Sequence, residues 1–139
     1  MHLVAEGLVK SYQGIFAVER ADFALQAGQF LSLLGPSGCG KTTTLRMIAG
    51  FVEPEQGRIQ LQGRDITGVP ARRRNIGMVF QNYALFPHMS VADNVAFGLK
   101  MRRMAAREVG YNVARVLELV RMQDYARARP NELSGGQRQ

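Results

Sequence analysis

Gln29-Phe30-Leu31-Ser32-Leu33-Leu34-Gly35-Pro36-Ser37-Gly38-Cys39-Gly40-Lys41-Thr42-Thr43 is the stretch that decides the fold. Phe30 to Leu34 is nearly continuous apolar, which predicts a strand over Gln29 to Leu34 buried on both faces. Gly35 to Thr42 fits the pattern G-x-x-x-x-G-K-[ST]. Lys41 to Ala49 has helical character and closes at Gly50, a residue suited to a C-terminal cap. Strand, glycine-rich turn and helix in that order form the context in which the pattern binds phosphate. The glycines let successive backbone N–H groups point inward at phosphate oxygens, and the helix start adds its positive dipole end. Lys41 supplies a cation for the β- and γ-phosphates, and the Thr42 hydroxyl is a ligand for Mg²⁺. Cys39 fills an unconstrained loop position. Its alkylation is expected to block nucleotide binding, with ATP protecting it.

Working outward, residues 3–9 and 16–25 read as short strands joined by a turn at Tyr12-Gln13-Gly14. Arg58 to Leu61 and Asn75 to Phe80 are two further strand candidates. After residue 81 the texture becomes helical. Ser90-Val91-Ala92-Asp93 fits a capping box that opens a helix to about Met101. From Ala105 to Met122, Val109, Val113, Val116, Leu117 and Val120 fall on one helical stripe, interrupted by Gly110. The division expected is 1–84 for the strand-rich part and 85–139 for the helical part.

The bulk composition is that of a globular domain. Of 139 residues, 46% are hydrophobic and 21% charged, against the low hydrophobicity of disordered chains. The longest apolar runs fall far short of a bilayer span. The start, Met1-His2-Leu3-Val4-Ala5-Glu6, carries neither the basic nor the apolar part of a signal peptide, so a cytosolic protein is expected. A single cysteine precludes an internal disulfide. The net charge is +7, yet the basic residues are scattered apart from Arg72-Arg73-Arg74 and Arg102-Arg103. No aromatic residue interleaves with either cluster, so a solvated basic surface is expected and nucleic acid is not.

Leu133-Ser134-Gly135-Gly136-Gln137 is the second informative run. Ser134 is a good N-cap, the glycines leave the backbone open, and Gln137-Arg138-Gln139 begins a helix. A helix start of this kind again suits an anion. With both runs in hand, the sequence closely resembles the ATP-binding cassette (ABC) family over essentially its whole length. GPSGCGKTT resembles the Walker A loop and LSGGQ the signature motif. Gln81, after Met78-Val79-Phe80, matches the Q-loop glutamine, and Tyr12 the aromatic that stacks on adenine.

The resemblance implies an α/β P-loop NTPase fold of the ABC nucleotide-binding type. It would have an N-terminal antiparallel β part and an α-helical subdomain. ATP and Mg²⁺ are the implied ligands. ATP would lie on Tyr12, Gly35, Pro36, Ser37, Gly38, Cys39, Gly40, Lys41, Thr42 and Thr43, with Mg²⁺ at Thr42 and Gln81. Lys41 and Gln81 would serve catalysis, Gln81 sensing water and metal. Two subunits, as a homodimer or a paired ABC ATPase, would enclose each ATP between one loop and the partner's Leu133, Ser134, Gly135, Gly136 and Gln137. Tyr83, Leu85, Phe86 and Pro87 would dock a transmembrane permease, which in turn serves a substrate-binding protein, and His88 reads as a loop residue. The implied place is the cytoplasmic face of the inner membrane, peripherally bound.

The family also needs an apolar strand ending in Asp-Glu and a later switch histidine. Asp65, Asp93 and Asp124 follow no apolar run, Asp22 precedes the loop, and His2 and His88 are misplaced. The chain therefore reads as an N-terminal fragment that ends just after the signature motif and lacks the Walker B strand and the C-terminal part. By itself it is expected to be marginally stable and without ATPase activity. Phe86-Pro87-His88-Met89-Ser90-Val91 with Asn94-Val95-Ala96-Phe97-Gly98-Leu99 is similar to importer ATPases. The similarity favours polyamine, with ferric iron and sugar or inorganic anion as alternatives. Two other classes compete. A small P-loop kinase shares Gly35 to Thr42 but has no use for Leu133 to Gln137. A nucleic-acid-associated ABC ATPase usually carries a long insertion after Gln81.

Overall fold

Residues 1–139 are described by a computed structural model. Strand β1 (Leu3–Tyr12) and strand β2 (Ile15–Leu25) pair antiparallel from Leu3↔Leu25 to Tyr12↔Ile15. Gln13 and Gly14 close the hairpin with φ of 52° and 80°, the positive pair that a two-residue loop needs to match the strand twist. Strands β3 (Gln56–Leu61) and β4 (Arg64–Asp65) complete an antiparallel sheet of order β2-β1-β3-β4. The register slips on both sides of β1 near Gly7, which has φ 59°. A bulge frees one backbone donor, and the Gly7 N–H donates to Asp22 Oδ1 at 2.7 Å. Arg20 Nε donates to the other oxygen of that carboxylate at 2.7 Å. Arg20 first, and Gly7 after it, hold the Asp22 carboxyl below its ordinary range.

Helix α1 (Lys41–Ala49) runs from the glycine loop to Gly50, whose left-handed conformation (φ 82°) ends it as the sequence predicts. Met47 on α1 joins Ala5, Leu8, Val18, Ile59 and Ile66 in the buried core of this part. Truncating a fully buried residue such as Leu8 or Met47 costs about 2–5 kcal/mol.

Two expected strands are absent. Gln29 to Leu34 and Asn75 to Phe80 form no strand, and neither joins the sheet. Phe30 is 91% exposed, Leu34 87% and Val79 94%, the reverse of burial on both faces. A strand inside a parallel sheet is held by neighbours on either edge, and no strand of this chain lies beside either segment. An open cavity of about 690 Å³ borders them, lined among others by Leu25, Gln29, Ile48, Arg74 and Ile76.

Arg74 corrects the reading of Arg72-Arg73-Arg74 as wholly solvated surface. It ends the one-turn helix α2 (Ala71–Arg74) and is only 4% exposed. Its guanidinium donates to the carbonyls of Val69 (2.6 Å), Met47 (2.7 Å), Ile48 (2.8 Å) and Thr67 (2.7 Å). Desolvation lowers its pKa. Two of these carbonyls, those of Met47 and Ile48, belong to the last turn of α1, so the planar fork ties that turn to the segment around Thr67 and Val69.

Contacts divide the chain into Met1–Met78 and Val79–Gln139. The second unit holds helices α3 (Val91–Met101), α4 (Ala106–Leu119) and α5 (Gly135–Arg138), with 3₁₀ turns at Gln123–Tyr125 and Pro130–Glu132. Ser90 caps α3 as expected, its hydroxyl accepting the Asp93 N–H at 3.1 Å. Val109, Val113 and Leu117 of the predicted stripe pack with Ala96. Val116 and Val120 do not: they are 37% and 57% exposed. Helix α4 ends at Leu119, so Val120 is its cap and faces an open apolar groove with Leu117 and Met122. No helix is long and apolar enough to cross a membrane.

Candidate nucleotide-binding site

The geometry of the glycine loop follows from one crowded position. Gly40 has φ 87° and caps the start of α1. A Cβ there would fall on the Ala17 carbonyl oxygen and 2.9 Å from Val18 Cγ2, both on β2. Only glycine lets the loop pass this close to the sheet and turn left-handed in the same step. Its carbonyl then accepts the Thr44 N–H at 2.8 Å, the first bond of the helix. No side chain caps this start, so the N–H groups of the first turn keep their capacity for an anion.

Lys41 bends back over the loop. Its Nζ donates to the carbonyls of Gly35 and Pro36, each at 2.7 Å, and lies 3.3 Å from Cys39 Sγ. The ammonium thus spans the loop mouth, held by neutral carbonyls that are weaker partners than a charged acceptor would be. Cys39 is exposed and unpaired with another thiol. Thr42 in the first turn of α1 is exposed, and Thr43 half-buried. Tyr12 ends β1 with half its surface exposed.

The other candidate residues belong to the second unit. Gln81 does not terminate a strand. It opens a turn over residues 81–84 and is exposed. Tyr83 and Ala84 in that turn have φ of 62° and 49°, a conformation side chains adopt at some cost. Leu85 is half-buried, and Phe86 and Pro87 are exposed. The Phe86 ring packs against Phe97 with centroids 4.6 Å apart and meets His88 at 6.1 Å. The loop they sit on is shaped by Asn94 of α3. Its Oδ1 accepts the Phe86 N–H at 2.8 Å, while its Nδ2 faces the carbonyls of Phe86, Met89 and Ser90 at 3.2, 3.3 and 2.9 Å.

At the last candidate run, Leu133 is buried and its carbonyl accepts from Arg138 Nε at 3.0 Å. Ser134 begins α5 with a reciprocal box: its hydroxyl accepts the Gln137 N–H at 3.3 Å, and Gln137 Oε1 accepts the Ser134 N–H at 2.8 Å. Gly135 and Gly136 have no neighbour within 4 Å of a would-be Cβ, so both are open to approach. Sequence reasoning missed two residues that hold these sites, Arg74 and Asn94. Nothing in a run of three arginines, or in one asparagine of a helix, signals that its side chain gathers carbonyls.

Residues 18–139 match the family described as ABC transporter. The chain is 58% identical over 137 residues to the spermidine/putrescine import ATP-binding protein PotA of Frankia alni, covering 96% of this chain and 30% of that protein. It is 60% identical over 123 residues to the protein of the same name from Thermobifida fusca, covering 88% and 32%. With that of Protochlamydia amoebophila it shares 47% over 137 residues, covering 99% and 37%. It thus spans about a third of the length of these curated relatives. Among solved structures it resembles the dimeric post-hydrolysis state of the ATP-binding cassette MJ0796 bound to ADP and Pi. The TM-score is 0.87 at 28% identity, with 98% of this chain and 65% of that one covered.

Proposed function

This chain belongs to the ABC transporter family, and on that premise we propose that it forms the nucleotide-loop and signature part of an importer's ATP-binding subunit, with polyamines as the cargo. The observation that carries the reading is the loop at Gly40. It combines an uncapped helix start, a glycine that admits no side chain, and Lys41 held across the mouth.

Each side chain then has a chemical task. The first-turn N–H groups of α1 and the loop backbone from Gly35 to Gly40 receive the β- and γ-phosphates. Lys41 neutralises their charge. Tyr12 offers a ring face to the adenine, and Thr43 flanks the loop at the first turn. The exposed Thr42 hydroxyl fits Mg²⁺, a hard ion that takes few protein ligands and completes its shell with phosphate oxygens and water. When bound, that ion would offset charge on the phosphates. Gln81 would sit beside it to orient water and report the γ-phosphate. Ser134 and the open backbone of Gly135 and Gly136 would meet the nucleotide held by a second subunit, with Leu133 and Gln137 fixing the turn. Tyr83, Leu85, Phe86 and Pro87 would dock the membrane-spanning permease, which receives cargo from a substrate-binding protein. The subunit would thus lie peripherally on the cytoplasmic face of the membrane. The names of its relatives support polyamine over ferric iron, sugar or inorganic anion.

Deleting the gene is expected to abolish uptake of labelled spermidine or putrescine while ferric iron and sugar uptake continue. Unchanged polyamine uptake together with loss of another cargo would reassign the importer. The full-length product is expected to hydrolyse Mg-ATP. The 139-residue chain has no Asp-Glu strand and is expected not to, so steady-state turnover by this chain alone would contradict the assignment of the chemistry to residues outside it.

A further inference from the structure

Lys10 and Glu55 form a cluster beside Tyr12 that none of the roles above uses. Lys10 and Tyr12 are two positions apart near the end of β1, and alternation along a strand puts such residues on one side. The Lys10 ammonium lies over the Tyr12 ring, 5.6 Å from its centroid. This is inside the roughly 6 Å reach of a cation–π contact. The same ammonium is 3.4 Å from Glu55 Oε1, and the Lys10 side chain is only 19% exposed against 42% for Glu55.

Glu55 is itself fixed from several directions. Its carboxylate accepts from the Ser11 hydroxyl at 3.0 and 3.2 Å and from the Ser11 N–H at 3.3 Å. Its own N–H donates to the Val9 carbonyl at 2.8 Å. The Ser11 hydroxyl first, and Lys10 with it, hold the Glu55 carboxyl below its ordinary range. An isolated surface ion pair contributes little and has no reason to sit over an aromatic ring. Here the anion is anchored to the backbone of β1, the cation is anchored to the anion, and the ring lies under the cation.

We infer that Lys10, held by Glu55, is a positioning residue for the nucleotide base: it covers one face of Tyr12, fixes the ring, and leaves the opposite face for adenine. The inference rests on the proposed stacking of Tyr12 on adenine. It adds residues that set the ring's attitude and so favour a flat, polarisable base over a ligand with no base.

The test compares Mg-ATP with inorganic tripolyphosphate, each titrated into the full-length protein and its variants. Tyr12→Ala is expected to weaken ATP about tenfold, the scale of one base–aromatic stack, and to leave tripolyphosphate unchanged. Lys10→Met is expected to weaken ATP about threefold, the scale of an exposed cation–π contact, again with tripolyphosphate unchanged. Glu55→Gln should act in the same direction. Lys10→Arg, which keeps a cation able to lie on the ring, should restore ATP affinity and so separates positioning from misfolding. In the Tyr12→Ala background, Lys10→Met should have no further effect. Equal loss for both ligands, or a Lys10→Met effect that persists without the ring, overturns this inference alone. ATP affinity unchanged in Tyr12→Ala overturns the stacking assignment and the inference with it.

Discussion

At Gly40 a helix starts on a left-handed glycine with no side chain to receive its first N–H groups, and a lysine lies across the opening. At Ser134 a helix starts with one of those N–H groups already received, because Ser134 and Gln137 exchange hydrogen bonds in both directions. Both sequences place small residues before a helix, and both read as anion sites. Their structures differ in what is left unsatisfied. The first start leaves its N–H groups without a side-chain acceptor and so open to an anion. The second has its Gln137 N–H satisfied by Ser134 and leaves the Ser134 hydroxyl and the exposed backbone of Gly135 and Gly136 to a visitor. The proposed roles, one start holding a nucleotide and the other touching the nucleotide of a second subunit, rest on that division.

Removing one group from each start in the full-length protein tests whether the two differ. Lys41→Ala is expected to weaken Mg-ATP by roughly tenfold to a hundredfold, the scale of hydrogen bonds made by a charged group. Ser134→Ala should leave ATP affinity of the separate subunit within about twofold, lose the cap at a cost of about 1 kcal/mol in stability, and weaken ATP-dependent pairing of subunits. Titration calorimetry reads the first effect and sedimentation the last. If Ser134→Ala lowered the affinity of the separate subunit as far as Lys41→Ala does, the two starts would not differ in the way argued.

A second probe is Arg74, which supports the far end of α1. Arg74→Met would leave the carbonyls of Met47, Ile48, Thr67 and Val69 without their donor in a buried setting. The expected loss is about 3 kcal/mol, in the range for breaking a buried hydrogen-bonded charge. Arg74→Lys should recover only part of it, because one ammonium cannot span four separated acceptors as a planar fork does. Denaturant midpoints of the full-length protein check both.

The hairpin, α1 with its Gly50 cap, the Ser90 cap of α3 and the helical start at Ser134 were all legible in the sequence. Each rests on local chemistry: alternation, a left-handed glycine, or a hydroxyl three residues before a free N–H. Gln29 to Leu34 and Asn75 to Phe80 were not, since an apolar run becomes a strand only beside partners. Gln81 was legible as a motif residue but not in its geometry, because that depended on the strand before it. Arg74 and Asn94 were hidden for a different reason: each gathers carbonyls from distant or looped backbone, and sequence spacing holds no trace of that.

Acid should separate the units less strongly. In the sheet-bearing unit Asp22, Glu55 and Asp65 are held below the ordinary carboxylate range, chiefly by Arg20, Ser11 and Thr67 respectively. In the helical unit Asp93 is held down first by Ser90, then by Lys100. A carboxyl depressed in the folded state adds stability above its unfolded value, near 4, and loses it as pH falls through the folded value. Stability is therefore expected to be flat above about pH 5 and to decline below about pH 4. Asp22→Asn should start lower and lose less on acidification, since that proton-linked contribution is already gone. An identical acid limb in wild type and variant would exclude Asp22 from the effect.

The smallest expected effect lies in the helical unit and runs in the opposite direction. Gly110 occupies the interior of α4, and a Cβ built on it would meet nothing within 4 Å. Its φ is not among the positive values that mark the glycines of the loop. Whereas Gly40 is required by crowding and by a left-handed backbone, Gly110 is required by neither. Glycine in a helix interior costs about 1 kcal/mol relative to alanine, because more backbone freedom is lost on folding. Gly110→Ala is accordingly expected to raise stability by about 1 kcal/mol with ATP affinity unchanged, whereas Gly40→Ala abolishes binding. A loss of stability in Gly110→Ala would mean that the exposed face around residue 110 is covered in the working assembly, and that close approach of another backbone there demands glycine after all.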